Sequence, residues 1–172
     1  MSDPDNPDTN HNIPAGSSEP VSYPVEFTEC CIALAKAAQR KIRIYSPTLE
    51  HAAFDSQDLA GALAGLARRS RACDIRILIS DSRAMVNRGH RLLSLSRRLP
   101  SIVNIQKLAE HPELPTDIFM LSDSIGLVYK PLDADQAFYA PEQRAKAQGY
   151  AERFDALWNR SQADNELREL RI

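Results

Sequence analysis

The residues with the most chemical potential lie in "HRLLSLSRRLPS", His90 to Ser101. On a helix, His90, Arg91 and Arg98, with Arg97 and Ser94, form a polar arc, while Leu92, Leu95 and Leu99 form an apolar seam with Leu93 beside it. A guanidinium is a planar fork of donors suited to phosphate or carboxylate, and several along a helix could grip a phosphodiester backbone. The bland alternative is a solvated basic face paired with acids such as Glu110 and Asp117. A second candidate is Asp123, a carboxylate in the polar turn between the apolar runs of "TDIFMLSDSIGLVYK". His111 precedes that stretch and could act as a base with Asp123, as could His90. No cofactor or metal is expected: phosphate-binding GxxxxGK[ST] and GxGxxG loops are missing, as are CxxC and HxxxH spacings. Cys30, Cys31 and Cys73 read as reduced core thiols, since adjacent cysteines bridge only with strain.

The elements that must position these groups follow from periodicity. Phe27, Cys31, Leu34 and Ala38 recur at helical spacing. "KIRIYSP" alternates as a strand and ends at Ser-Pro. "SQDLAGALAGLARRS" reads as a helix capped by Ser56 or Asp58, with Leu59, Leu63 and Leu66 on one face. "CDIRILISD" is a strand, "MVNRGHRLLSLSRRLP" a helix stopped by Pro100, and "IVNIQKL" a strand. The pair of strands around Asp123 follows, and then a long helix from "PEQRAKAQ" that places Tyr150, Phe154, Leu157, Trp158 and Ser161 on one face. A short segment with Leu167, Leu170 and Ile172 closes the chain. This order predicts an α/β fold with a mixed, mainly parallel sheet flanked by helices.

Composition sets the organisation. The 172 residues suffice for one domain, expected over residues 23–172. Residues 1–22 are rich in Asp, Asn, Pro and Ser and are expected to be a disordered tail, with no role for His11. No apolar run approaches the ~20 residues that span a bilayer, and no secretory pattern opens the chain, so a cytoplasmic location is the expectation. The net charge of −2 conceals a segregation. Residues 68–108 carry ten bases against Asp74 and Asp81, whereas residues 1–29 carry six acids and no base. Aromatic residues are 6% of the chain, which argues against a stacking platform for single strands.

In this order, "KIRIYSPTLE", "CDIRILISD", "RLLSLSRRLPS", "IVNIQKL", "FMLSDSIGLVYK" and "ERFDALWNRS" resemble one half of the phospholipase D superfamily, over roughly residues 27–161. The resemblance implies an HxKxxxxD motif on the strand before the hairpin, with the histidine as phosphohistidine nucleophile and the lysine as phosphate ligand. Registered on Asp123, the histidine position holds Thr116 and the lysine position holds Ile118. Neither supplies that chemistry, so the resemblance implies the fold without the usual hydrolysis. The chain is also similar to a bacterial group of degenerate phospholipase D-like domains carrying "HRLLxLxRRLPS", "DxxG", "FxxLW" and "LRxLxI". Some of these accompany an N-acetyltransferase domain, which makes an acetyltransferase a candidate partner. A single half also implies a homodimer. Three readings therefore stand: a non-catalytic domain binding a phosphate-bearing ligand or nucleic acid through His90, Arg91 and Arg98 with Asp123 nearby; an accessory protein-interaction module; and a divergent enzyme using His90 or His111 with Asp123.

Overall fold

The computed structural model describes residues 13–109 and 114–168. Its frame is one seven-stranded sheet in the order β1-β7-β6-β5-β2-β3-β4. The strands are β1 (Glu19–Ser22), β2 (Lys41–Tyr45), β3 (Asp74–Ile79), β4 (Val103–Lys107), β5 (Asp117–Ser122), β6 (Gly126–Pro131) and β7 (Gln136–Ala140). The sheet is mixed and flanked by helices, as expected. Parallel pairing is confined to β2–β3 and β3–β4, and the other four of six pairings are antiparallel. The antiparallel share exceeds the expectation because β7 and β1 extend the sheet, and neither has a strong sequence pattern.

β7 buries Ala137 and Tyr139 on one side but leaves Gln136 exposed, so its apolar alternation is short. β1, "EPVS", corrects the expected tail: it lies within residues 1–22 yet pairs with β7, Glu19 opposite Tyr139 and Ser22 opposite Gln136. Pro20 is tolerated because β1 is an edge strand and Val21 is its one buried side chain. Residues 1–12 lie outside the described residues, as does the Leu170–Ile172 part of the closing segment.

One face of the sheet carries α1 (Val25–Ala37), α2 (His51–Phe54), α3 (Gln57–Arg69), α4 (Arg83–Arg88) and α5 (Arg91–Arg98). Phe27, Leu34, Leu63 and Leu92 from these helices share a core with Ile42, Ile44, Ile77, Met120 and Val128. The other face is covered by α6 (Arg144–Trp158), whose Tyr150 and Phe154 pack with Tyr45, Leu78, Phe119 and Leu127. α7 (Asn165–Arg168) follows. The period of two in β2 explains the division: Ile42 and Ile44 enter the first core, Arg43 and Tyr45 point to the other side. Arg43 is buried there because its guanidinium meets the Asp74 carboxylate at 2.8 Å and the Asp74 and Ile42 carbonyls at 2.8 and 3.0 Å.

Two helix boundaries were legible only in part. The Ser56 hydroxyl, rather than Asp58, caps α3 by accepting the Leu59 N–H at 3.2 Å. The expected helix over residues 85–100 is two helices. Gly89, at φ 75° and ψ 157°, breaks it, and α5 begins afresh behind a new cap.

Candidate functional site

The break at Gly89 is held from the far side by the loop and short helix after β2. His51 Nε2 lies 2.8 Å from the Gly89 carbonyl oxygen. His90 Nε2 lies 3.0 Å from the Leu49 carbonyl oxygen. The Arg91 N–H donates to Asp55 Oδ1 at 2.9 Å. His90 is itself the cap of α5: its Nδ1 accepts the Leu92 N–H at 3.1 Å. A ring nitrogen that accepts carries no proton, so Nε2 bears the hydrogen and donates to Leu49, and the imidazole is neutral. Burial pushes the His90 pKa down to about 4; Asp55 opposes this, and the neighbouring His51, its ring centroid 5.0 Å away, adds to it. His90 is thus a structural cap, 4% exposed, and not an anion-binding cation. That corrects the expectation for this residue.

The arginines divide by their partners. Arg91 is exposed but its guanidinium lies 3.3 Å from Asp55. Burial would raise the Asp55 carboxyl, but the hydrogen bond from the Arg91 backbone N–H and the Arg91 charge outweigh it and hold the carboxyl below its ordinary value. Arg97 donates to the Leu167 carbonyl at 3.0 Å and so ties α5 to α7. Arg69 caps α1 by donating to the carbonyls of Ala35, Lys36 and Ala38. Arg88 and Arg98 are exposed. Arg91, Ser94 and Arg98 lie exposed on one face of α5, while Leu92, Leu93 and Leu95 are buried. Beside Arg88 runs a shallow groove of about 590 Å³ at the carboxyl end of β2, lined by Thr48, Glu50, His51, Ala52, Ala84 and Arg88.

Asp123 does not join this group. Its carboxylate accepts the backbone N–H groups of Gln39, Arg40 and Lys41 at 2.7, 3.0 and 2.8 Å, at the start of β2. His90 bonds Leu49, beyond the other end of β2. The five residues of that strand place the two about 15 Å or more apart at ~3.3 Å per residue. The structure therefore brings His90 and Arg91 together, leaves Arg98 two helical turns away, and sets Asp123 at the opposite end of the sheet. His111 falls outside the described residues. Asp123 and Ser124 both adopt left-handed φ, 52° and 57°, as the tight turn requires.

Thr116 and Ile118 stand at the carboxyl end of β2, the end that holds the groove. Ile118 is fully buried and Thr116 is exposed. Opposite Ile118 in the β5–β6 register is Lys130, which is buried; its ammonium donates to the Pro131 carbonyl at 3.0 Å and lies 5.0 Å from the Tyr23 ring centroid. The Tyr23 hydroxyl donates to Glu50. Lys130, His51 and Asp55 were not singled out from sequence. Lys130 carries one visible signal, a lysine two residues beyond Val128 on the inward face of an apolar strand. His51 and Asp55 carry none.

Among the described residues, no cluster of His, Cys, Asp and Glu could hold a metal ion, and no helix is long and apolar enough to cross a membrane. Several solved structures share the fold. Nuc from Salmonella typhimurium, a phospholipase D family member, aligns with a TM-score of 0.60 at 15% identity over 85% of this chain and 96% of its own. NucT from Helicobacter pylori aligns at 0.57 and 9% identity, over 86% and 99%. TrmBL2, an archaeal chromatin protein with a novel mode of DNA binding, aligns at 0.61 and 12% identity; the match covers 86% of this chain and 54% of TrmBL2. No curated protein matches the sequence. The alignment with Nuc shows the fold: a mixed α/β sheet flanked by helices, of the phospholipase D type. Residues 23–170 match the family model of DUF7931, a domain of unknown function, and the chain belongs to that family.

Proposed function

We propose that this chain is a non-catalytic phospholipase D-like domain that binds a phosphate-bearing ligand, the backbone of nucleic acid included, through the exposed arginines of α4 and α5. The observation that carries the binding is the outward face of α5, where Arg91, Ser94 and Arg98 are exposed at i, i+3 and i+7 with Arg88 just before the break. Two helical turns separate Arg91 from Arg98, about 10 Å of rise, a spacing that lets both reach one run of phosphates. The DNA-binding relative of the fold fits this reading. Against hydrolysis stand Thr116 and Ile118 at the motif positions: a threonine hydroxyl lacks an imidazole's basicity, and a buried isoleucine cannot neutralise phosphate.

Fluorescence anisotropy with a short labelled DNA duplex tests the reading. Binding at low salt should weaken steeply as salt rises, with a log–log slope near −0.9 per phosphate contacted. The Arg91→Ala/Arg98→Ala variant should bind at least about tenfold more weakly and flatten the slope by about two contacts. Undetectable binding at low salt, or an unchanged affinity in the folded double variant, refutes it. The rival reading is an accessory module for a protein partner such as an acetyltransferase. It predicts co-purification with that partner and no affinity for DNA. Sedimentation would show whether the chain forms the homodimer that a single half suggests.

A further inference from the structure

A buried cation with no counter-ion marks a second site at the carboxyl end of β2. Lys130 is 8% exposed. An ammonium taken from water is normally paired with a carboxylate or another anion, yet Lys130 forms no ion pair with any described residue. One of its three N–H donors meets the Pro131 carbonyl, and the Tyr23 ring shields one side. The remaining N–H groups have no oxygen partner among the described residues. Other donors around it are also unused. Thr116 is the diagonal cross-strand neighbour of Lys130: Lys130 faces Ile118, and the Leu132 N–H donates to the Thr116 carbonyl one step further out. Diagonal pairs on one face are within reach of a long side chain. The Thr116 hydroxyl is exposed and has no partner among the described residues. On the other side of Ile118, at the end of β2, Ser46 is fully buried and its hydroxyl is unpartnered.

We infer that Lys130 and Thr116 form a small oxyanion site that takes the terminal phosphate of a phosphomonoester, distinct from the arginine face of α5. The ammonium supplies charge and two hydrogen bonds, the threonine hydroxyl a third, and Ile118 forms the dry floor between Lys130 and Ser46. Three donors match the three free oxygens of a monoester, whereas a diester presents two. The Glu50 carboxylate is engaged by the Tyr23 hydroxyl and forms no ion pair with Lys130.

Calorimetric titration and thermal unfolding of the full chain with inorganic phosphate, in chloride buffer, test this. Wild type should bind phosphate and unfold at higher temperature as phosphate rises. Lys130→Met, which replaces a buried charge by an apolar side chain of similar length, should bind about tenfold more weakly or worse. Thr116→Val, an exposed change that does not threaten the fold, should weaken binding severalfold. The loss of phosphate binding in Thr116→Val should come without loss of affinity for the labelled DNA duplex, which separates this site from the arginine face of α5. Dimethyl phosphate should bind more weakly than phosphate. If wild type shows no phosphate response, or Lys130→Met binds phosphate as wild type does, the site is refuted. Equal affinity for dimethyl phosphate overturns the monoester assignment. Should Lys130→Met fail to fold, an unchanged affinity in Thr116→Val refutes the site.

Discussion

Asp123 is the one residue of the resembled HxKxxxxD motif that this chain keeps, and its carboxylate braces the start of β2. Its two oxygens close three backbone N–H groups at the entrance to β2. Asp123→Ala leaves those donors without an acceptor in a half-buried setting. One hydrogen bond to a charged group is worth about 1.5–3 kcal/mol, and three that share one carboxylate do not add fully, because water reaches part of the site. To this the substitution adds about 1 kcal/mol for an alanine at φ 52°. The expected loss is about 3–4 kcal/mol. Asp123→Gly removes the carboxylate but not the backbone freedom, and should cost about 1 kcal/mol less than alanine. Asp123→Asn keeps one acceptor oxygen and tolerates left-handed φ, so about 1–2 kcal/mol is expected. Urea unfolding reads these as shifts of the midpoint at constant slope, and DNA affinity of the folded fraction should not change. The reasoning fails if Asp123→Ala costs less than about 0.5 kcal/mol, or if Asp123→Asn abolishes ligand binding while stability is retained.

His90 has a folded pKa of about 4, below an unfolded value of about 6.5. The unfolded chain therefore binds the extra proton, and the stability that His90 contributes is complete above about pH 6.5 and lost as pH falls towards 4, by at most about 3 kcal/mol. His90→Asn, a neutral cap, should remove that slope from urea midpoints measured between pH 7 and 4.5. Gly126→Ala would put a Cβ 2.6 Å from Leu34 Cδ2 and 3.1 Å from the Pro141 carbonyl oxygen. The leucine can yield but the carbonyl is backbone, so a loss of about 1–3 kcal/mol is expected in the same unfolding assay.

The sequence showed the parts of the fold whose burial follows a period. β2, β3, β5 and β6 carry strong apolar runs, and α1, α3 and α6 carry helical stripes. β1 and β7 escaped because an edge strand buries one face weakly and Pro20 speaks against pairing. The α4–α5 break escaped because Gly89 sits inside an otherwise continuous helical pattern, and its φ is set by contacts from His51, Leu49 and Asp55 that lie some 35–40 residues earlier. The candidate site suffered from the same cause. Local spacing made His90 look like part of a basic arc, whereas its ring is spent on the Leu92 N–H and the Leu49 carbonyl. Arg91, Ser94 and Arg98 kept their predicted outward face, because helical period alone decides that.

The two ends of β5 set different demands on the residues that occupy them. Thr116 precedes the strand and Asp123 follows it, so the two positions stand roughly 24 Å apart at ~3.4 Å per residue. At the far end, the Asp123 carboxylate satisfies three backbone donors at the start of β2, so substitution there is expected to cost stability. At the near end, Ile118 fills its position by ordinary core packing with Met120 and Val128, and nothing structural requires a lysine. The cation found there comes from β6 instead, where Lys130 faces Ile118 across the ladder. That lysine places a positive charge at this end of the sheet.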